Sequence, residues 1–121
     1  MTGQANPRDG VIFVATGAGY LDLAQQAAQS LRETNPDLPI DVFTDLLDDP
    51  GNAVFDQVHP VPSSHPRVKL ECFAKARFDR VLFLDCDVLV LAPLGDIFDL
   101  TDRFPLSIAH DVRRRSELIK K

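Results

Sequence analysis

Asp85 and Asp87 stand one residue apart directly after the run Val81-Leu82-Phe83-Leu84, and Val88 to Leu91 resumes the apolar character behind them. Two carboxylates this close repel each other and lose hydration when a site closes over them, a cost that a cation between them removes. Oxygen donors suit a hard divalent ion, Mn2+ or Mg2+, and Mg2+ commonly takes only one or two protein carboxylates and fills its shell with phosphate and water. The pair therefore points to a metal held by Asp85 and Asp87 against a phosphorylated ligand. A bare Asp-x-Asp also fits a polar turn. What favours chemistry is its position at the end of an apolar strand, because open α/β sheets bind ligands beyond the carboxyl ends of their strands. A second candidate follows the run Val11-Ile12-Phe13-Val14. There Thr16-Gly17-Ala18-Gly19-Tyr20 sets a hydroxyl, small residues and the single tyrosine before a helix start. Unpaired N–H groups at such a start favour anions, and glycine lets a ligand approach the backbone. An ordinary strand-to-helix turn, with Tyr20 stapling the helix, fits the same residues.

Both candidates depend on the elements that carry them. The run at residues 11–14 is short, β-branched and bounded by Gly10, which predicts a buried strand. From Tyr20 to about Glu33, Ala24, Ala27, Ala28 and Leu31 recur at helical spacing, and Asn35-Pro36 ends the helix. Ile40 to Thr44 predicts a second strand, Asp48 to Asn52 a turn, and the stretch Val54 to Val61 a short third strand. Pro60, Pro62 and Pro66 mark an irregular loop. Arg67 to Ala76 predicts a helix offering Leu70, Cys72, Phe73 and Ala76 to the core. The uniformly apolar Val81–Leu84 predicts a central strand covered on both faces. A short helix over Leu94–Leu100 and a last strand over Leu106–Ala109 complete the pattern. Alternating strands and helices predict an α/β layered fold with a mainly parallel sheet and right-handed crossovers.

The 121 residues suit one domain, with 45% hydrophobic and 26% charged residues as in ordinary globular proteins. A formal net charge of −5 without a basic stripe argues against a nucleic-acid surface. Arg113-Arg114-Arg115 reads as a solvated helix face, with phosphate contact as the alternative. Cys72 and Cys86 form no Cys-x-x-Cys pair or zinc spacing. The polar N-terminus lacks an export signal and no run has the length of a membrane span, so a cytoplasmic setting is expected.

The segment Gly10 to Asp45, with its strand, Ala-Thr-Gly turn, Tyr20, helix through Ser30-Leu31-Arg32 and strand ending Thr44-Asp45, resembles the opening of glycogenin-like and lipopolysaccharide-galactosyltransferase-like enzymes. These form glycosyltransferase family eight and have the GT-A fold. The block Arg67 to Val90, with Lys69 and Phe78-Asp79-Arg80 leading through the strand into Asp85-Cys86-Asp87, is similar to that family's basic residue, helix, strand and Asp-x-Asp motif. Pro93-Leu94 and Ile97-Phe98-Asp99-Leu100 fit the segment that follows, so the resemblance spans about residues 10–111. It implies a GT-A, nucleotide-diphospho-sugar transferase architecture, Rossmann-like, with residues 1–9 as a tail and 10–121 as the nucleotide-sugar-binding part. It implies that Asp87 ligates Mn2+ and that Asp85 ligates the metal and reaches the ribose. Ala15, Thr16, Gly17 and Tyr20 would lie along the nucleotide, and Lys69, or Arg67, would approach the diphosphate or sugar. The activity implied is transfer from a nucleotide-sugar, a UDP-sugar, with retention, to a glycan, lipid or protein acceptor.

The family's longer C-terminal part supplies a histidine metal ligand and the acceptor site. Only His110 is available for that role after Asp87, and His110-Asp111 fits a simple turn equally well. The chain is thus expected to be incomplete at its C-terminus, and no nucleophile or general base is assigned. Two rivals stand beside this reading. Phe83 to Val88 also looks like the first motif of haloacid-dehalogenase-like phosphatases, where Asp85 would be a nucleophile and Asp87 a general acid beside Mg2+. That fold puts the motif on its first strand, whereas three predicted strands precede it here. The other rival is a non-catalytic module that binds nucleotide-sugar, with an exposed sheet edge favouring self-association.

Overall fold

A computed structural model describes residues 9–62 and 68–99. The chain runs β1 (Asp9–Ala15), α1 (Ala18–Thr34), β2 (Ile40–Thr44), β3 (Gln57–Pro60), α2 (Val68–Lys75), β4 (Arg80–Phe83) and α3 (Gly95–Asp99), with a short 3-10 helix at Pro50–Val54. The four strands form one sheet in the order β3-β2-β1-β4. All three pairings are parallel, with Val11 opposite Ile40 and Gly10 opposite Val81. This is an α/β architecture compatible with a Rossmann-like fold.

Alternation along β1 builds two cores. Val11, Phe13 and Ala15 join Leu21, Ala24, Ala27, Ala28 and Leu31 of α1, with Ile40 and Val42 beside them. Ile12 and Val14 face the other way, toward Phe43, Cys72 and Phe78. Helices α1 and α2 therefore cover opposite faces of the sheet, and the near-total burial of β1 follows from lying between them. Alanines on the buried stripe of α1 let the helix approach the sheet closely. Gly10 serves the other face: a Cβ there would sit 2.3 Å from the Phe78 ring.

Several predicted boundaries shift. Asp9 is the first residue of β1 rather than the end of a tail, and it pairs in register with Arg80, whose guanidinium donates to both of its carboxylate oxygens. Among the described residues the fully interior strands are β1 and β2, while β4 is a half-buried edge strand. An unbroken apolar run records that both faces are covered but carries no information about lateral position. Leu70, expected in the core, is 66% exposed, because α2 turns Cys72 to the sheet instead. The turn expected over Asp48–Asn52 tightens into the 3-10 helix. The predicted strand Leu106–Ala109, His110-Asp111, Arg113–Arg115 and Arg67 lie outside the described residues.

A buried polar cluster ties the α2 side together. Asp41, 1% exposed in the middle of the sheet, accepts two bonds from Arg77 at 2.8 and 3.0 Å and one contact from His59 at 3.0 Å. Its hydrogen bond raises the Arg77 guanidinium above its ordinary value, against an opposing push from burial. Arg77 also lies over the Phe78 ring. The chain leaving α2 is thereby fastened to β2.

Candidate functional site

Strand order decides where a ligand can enter. The chain steps from β1 to β2 to β3 on one side, then returns to place β4 on the other side of β1. The connections leaving β1 and β4 diverge at their carboxyl ends, and a crevice opens there, as at the switch point of doubly wound sheets. Thr16 to Tyr20 leave β1 at this point, and Leu84 to Asp87 leave β4. The two segments singled out from the sequence meet here.

A cleft of about 360 Å³ occupies the crevice, lined by Val14, Thr16, Tyr20, Leu23, Val68, Lys69, Phe83 and Asp85 to Asp87. Asp85 and Asp87 are exposed, while Cys86 between them is buried and donates from its Sγ to the Val14 carbonyl at 3.3 Å. The inward cysteine anchors the turn to β1 and leaves both carboxylates at the cleft. Burial pushes the Cys86 thiol above its usual range; nearby Lys69 opposes this and the two aspartates add to it. The thiol stays protonated at neutral pH and is a packing group rather than a nucleophile. Lys69, from the first turn of α2, brings its Nζ to 3.9 Å from Asp85 and 5.4 Å from the Phe83 ring centroid. An ion pair this exposed contributes at most about 1 kcal/mol to the fold. Its charges are accessible to a ligand.

The remaining predicted site residues divide. Thr16 and Tyr20 both line the cleft, with Tyr20 64% exposed. Ala15 does not reach it: its side chain is 1% exposed in the α1 core. Gly17 adopts φ 86°, ψ 154° as the N-cap of α1, a region that favours glycine. Its N–H donates to Asp45 Oδ1 at 3.0 Å, so this donor already has a partner.

Two residues that hold the site were missed. Ser30 Oγ accepts from the Val90 N–H at 2.9 Å, and Asn35 accepts from the Leu94 N–H at 2.7 Å while donating to the Ala92 carbonyl. Both lie on α1 or at its end and fasten the segment that follows Asp87. Ser30 was legible in part, as a polar residue on the apolar stripe of α1. Asn35 looked only like a helix stop.

No protein-family model matches this chain, and no curated protein matches it either. The function therefore rests on the cleft. A larger cleft of about 570 Å³ lies beyond β2, lined by Asp22, Asp45, Asp48 and Asp49 with Gln25 and no cationic side chain. Its four carboxylates repel phosphate, whereas the smaller cleft offers Lys69. Among the described residues no group of three or more His, Cys, Asp or Glu could hold a metal ion. Two carboxylates suit a hard ion whose remaining ligands are phosphate oxygens and water, and do not suit a closed protein cage. No described helix is long and apolar enough to cross a membrane.

Proposed function

We propose that this chain is the donor-binding part of a GT-A glycosyltransferase that takes a nucleotide-diphosphate sugar, a UDP-sugar, together with Mn2+ or Mg2+. The observation that carries this reading is the convergence of Asp85, Asp87 and Lys69 with Thr16 and Tyr20 on one cleft at the carboxyl ends of β1 and β4. The lining offers two kinds of group. The carboxylates and the ammonium suit a metal-bound diphosphate. The Tyr20 ring, the Thr16 hydroxyl and Leu23 suit a nucleoside. Asp85 and Asp87 would hold the ion, which when bound would act as a Lewis acid toward the departing diphosphate. Lys69 would hold an adjacent phosphate oxygen and help stabilise its growing negative charge as the sugar–phosphate bond breaks. Apolar Val14, Leu23, Val68 and Phe83 in the wall would limit water around these charges and strengthen their interaction.

The test is incubation with Mn2+ and a panel of UDP-sugars, with released UDP and glycosylated product both quantified. UDP release that depends on Mn2+ and is erased by chelation is the expected result, because the ion and Lys69 would stabilise the departing diphosphate. Phosphate release from simple phosphomonoesters without UDP release would overturn the proposal in favour of phosphatase chemistry. UDP binding without any turnover would reduce it to a nucleotide-sugar-binding module.

A further inference from the structure

Beyond its last paired rung, Ala15 opposite Thr44, the β1–β2 ladder continues in a different form. The backbones diverge, and the next residue of β2's chain, Asp45, reaches across with its side chain to accept the Gly17 N–H at 3.0 Å. Helix α1 has no side-chain cap of its own. Gly17, at φ 86°, is the joint through which the chain passes from strand to helix, and Leu21 N–H closes the first turn on the Gly17 carbonyl. The joint has Thr16 on one side and Tyr20 on the other, and both line the smaller cleft. Asp45 itself lines the neighbouring acidic cleft, not this one.

We infer that Asp45 is a positioning residue for donor recognition: its carboxylate fixes the Gly17 joint and so sets where Thr16 and Tyr20 stand. The inference rests on the donor-binding reading above. Only an acceptor oxygen is needed at this place, so an amide serves where a methyl does not. The negative charge is also favourably placed beside the N-terminal end of α1. Because Asp45 acts through Thr16 and Tyr20, its loss affects the nucleoside they would meet and spares the diphosphate, which would meet Lys69, Asp85 and Asp87.

The experiment compares the parent chain with Asp45→Ala and Asp45→Asn by calorimetry in Mn2+, titrating UDP and, separately, inorganic pyrophosphate. Asp45→Ala is expected to weaken UDP about tenfold or more while leaving pyrophosphate within about twofold, and Asp45→Asn to retain UDP within about threefold. The Gly17 amide, followed by 15N NMR, should lose its hydrogen-exchange protection in Asp45→Ala and keep it in Asp45→Asn. Unchanged UDP binding in Asp45→Ala, an equal fall for UDP and pyrophosphate, or an equal fall in both variants would overturn the inference. A parent chain that binds neither UDP nor pyrophosphate would instead overturn the donor-binding reading. The Gly17 exchange result would still report whether Asp45 holds the joint.

Discussion

Replacing Asp41 by alanine should be among the most damaging single changes in this chain. The carboxylate is 1% exposed and meets Arg77 through two bonds and His59 through one contact. Removing one partner of a buried pair typically costs about 3–5 kcal/mol, because the other charge is left unpaired in a poor solvent. Here the Arg77 and His59 side chains keep 19% and 28% of their exposure, so both recover part of their hydration. The expected loss is therefore about 2–4 kcal/mol, somewhat below the full penalty. A domain of this size has roughly 5–15 kcal/mol in all. With a urea slope of about 2 kcal/mol per molar, the midpoint should fall by about 1–2 M. Asp41→Leu combined with Arg77→Met should recover much of the loss, since buried ion pairs are often replaceable by apolar groups of similar volume. Urea denaturation followed by circular dichroism measures all three variants. A loss below about 0.5 kcal/mol for Asp41→Ala, the size of an ordinary surface change, would refute the buried cluster.

Other consequences are equally accessible. Gly10→Ala should destabilise by about 1–3 kcal/mol in the same denaturation assay, because the new methyl meets the Phe78 ring at 2.3 Å; adding Phe78→Leu should restore part of it. Ser30→Ala leaves the buried Val90 N–H without its acceptor and should cost about 1–3 kcal/mol, seen as a lower urea midpoint with a weaker Mn2+–UDP interaction. Burial, aided by the Glu71 charge, pushes the Cys72 thiol from 9.0 up to about 11. Between those values the unfolded chain has lost this proton and the folded chain has kept it, so stability should fall as pH rises from about 9 to 11 and be unaffected by this group below. Urea midpoints across that range, compared with Cys72→Ala, isolate the effect.

The alternating pattern of the chain carried most of the fold. Apolar runs and helical spacing located every described strand and helix within a few residues, because each element must bury a face and its period records which one. The 3-10 helix at Pro50–Val54 escaped because its residues are those of any turn. The position of β4 at the edge of the described sheet escaped because lateral order depends on which connection crosses the sheet. Within the site, Asp85 and Asp87 stood out from their place after a strand, and the structure sets both at the cleft with Cys86 turned inward between them. Ala15 stood out by resemblance, yet its methyl packs beneath α1. The tie from Asp45 to Gly17 spans 28 residues, and those from α1 to the segment after Asp87 span about 60; no local pattern encodes such long-range bonds.

Isothermal titration of UDP into the chain with and without Mn2+, for the parent and for Asp87→Asn, decides whether the aspartate pair holds a metal-bound diphosphate. Mn2+ and UDP should bind together far more tightly than either alone, since two carboxylates leave most of the ion's ligand positions to phosphate and water. Asp87→Asn should lose about tenfold or more of the Mn2+-dependent affinity while staying folded, because relieving the repulsion with Asp85 favours the metal-free protein. A parent chain indifferent to Mn2+, or an Asp87→Asn variant that binds Mn2+–UDP as the parent does, would reduce the aspartate pair to a polar turn leaving β4.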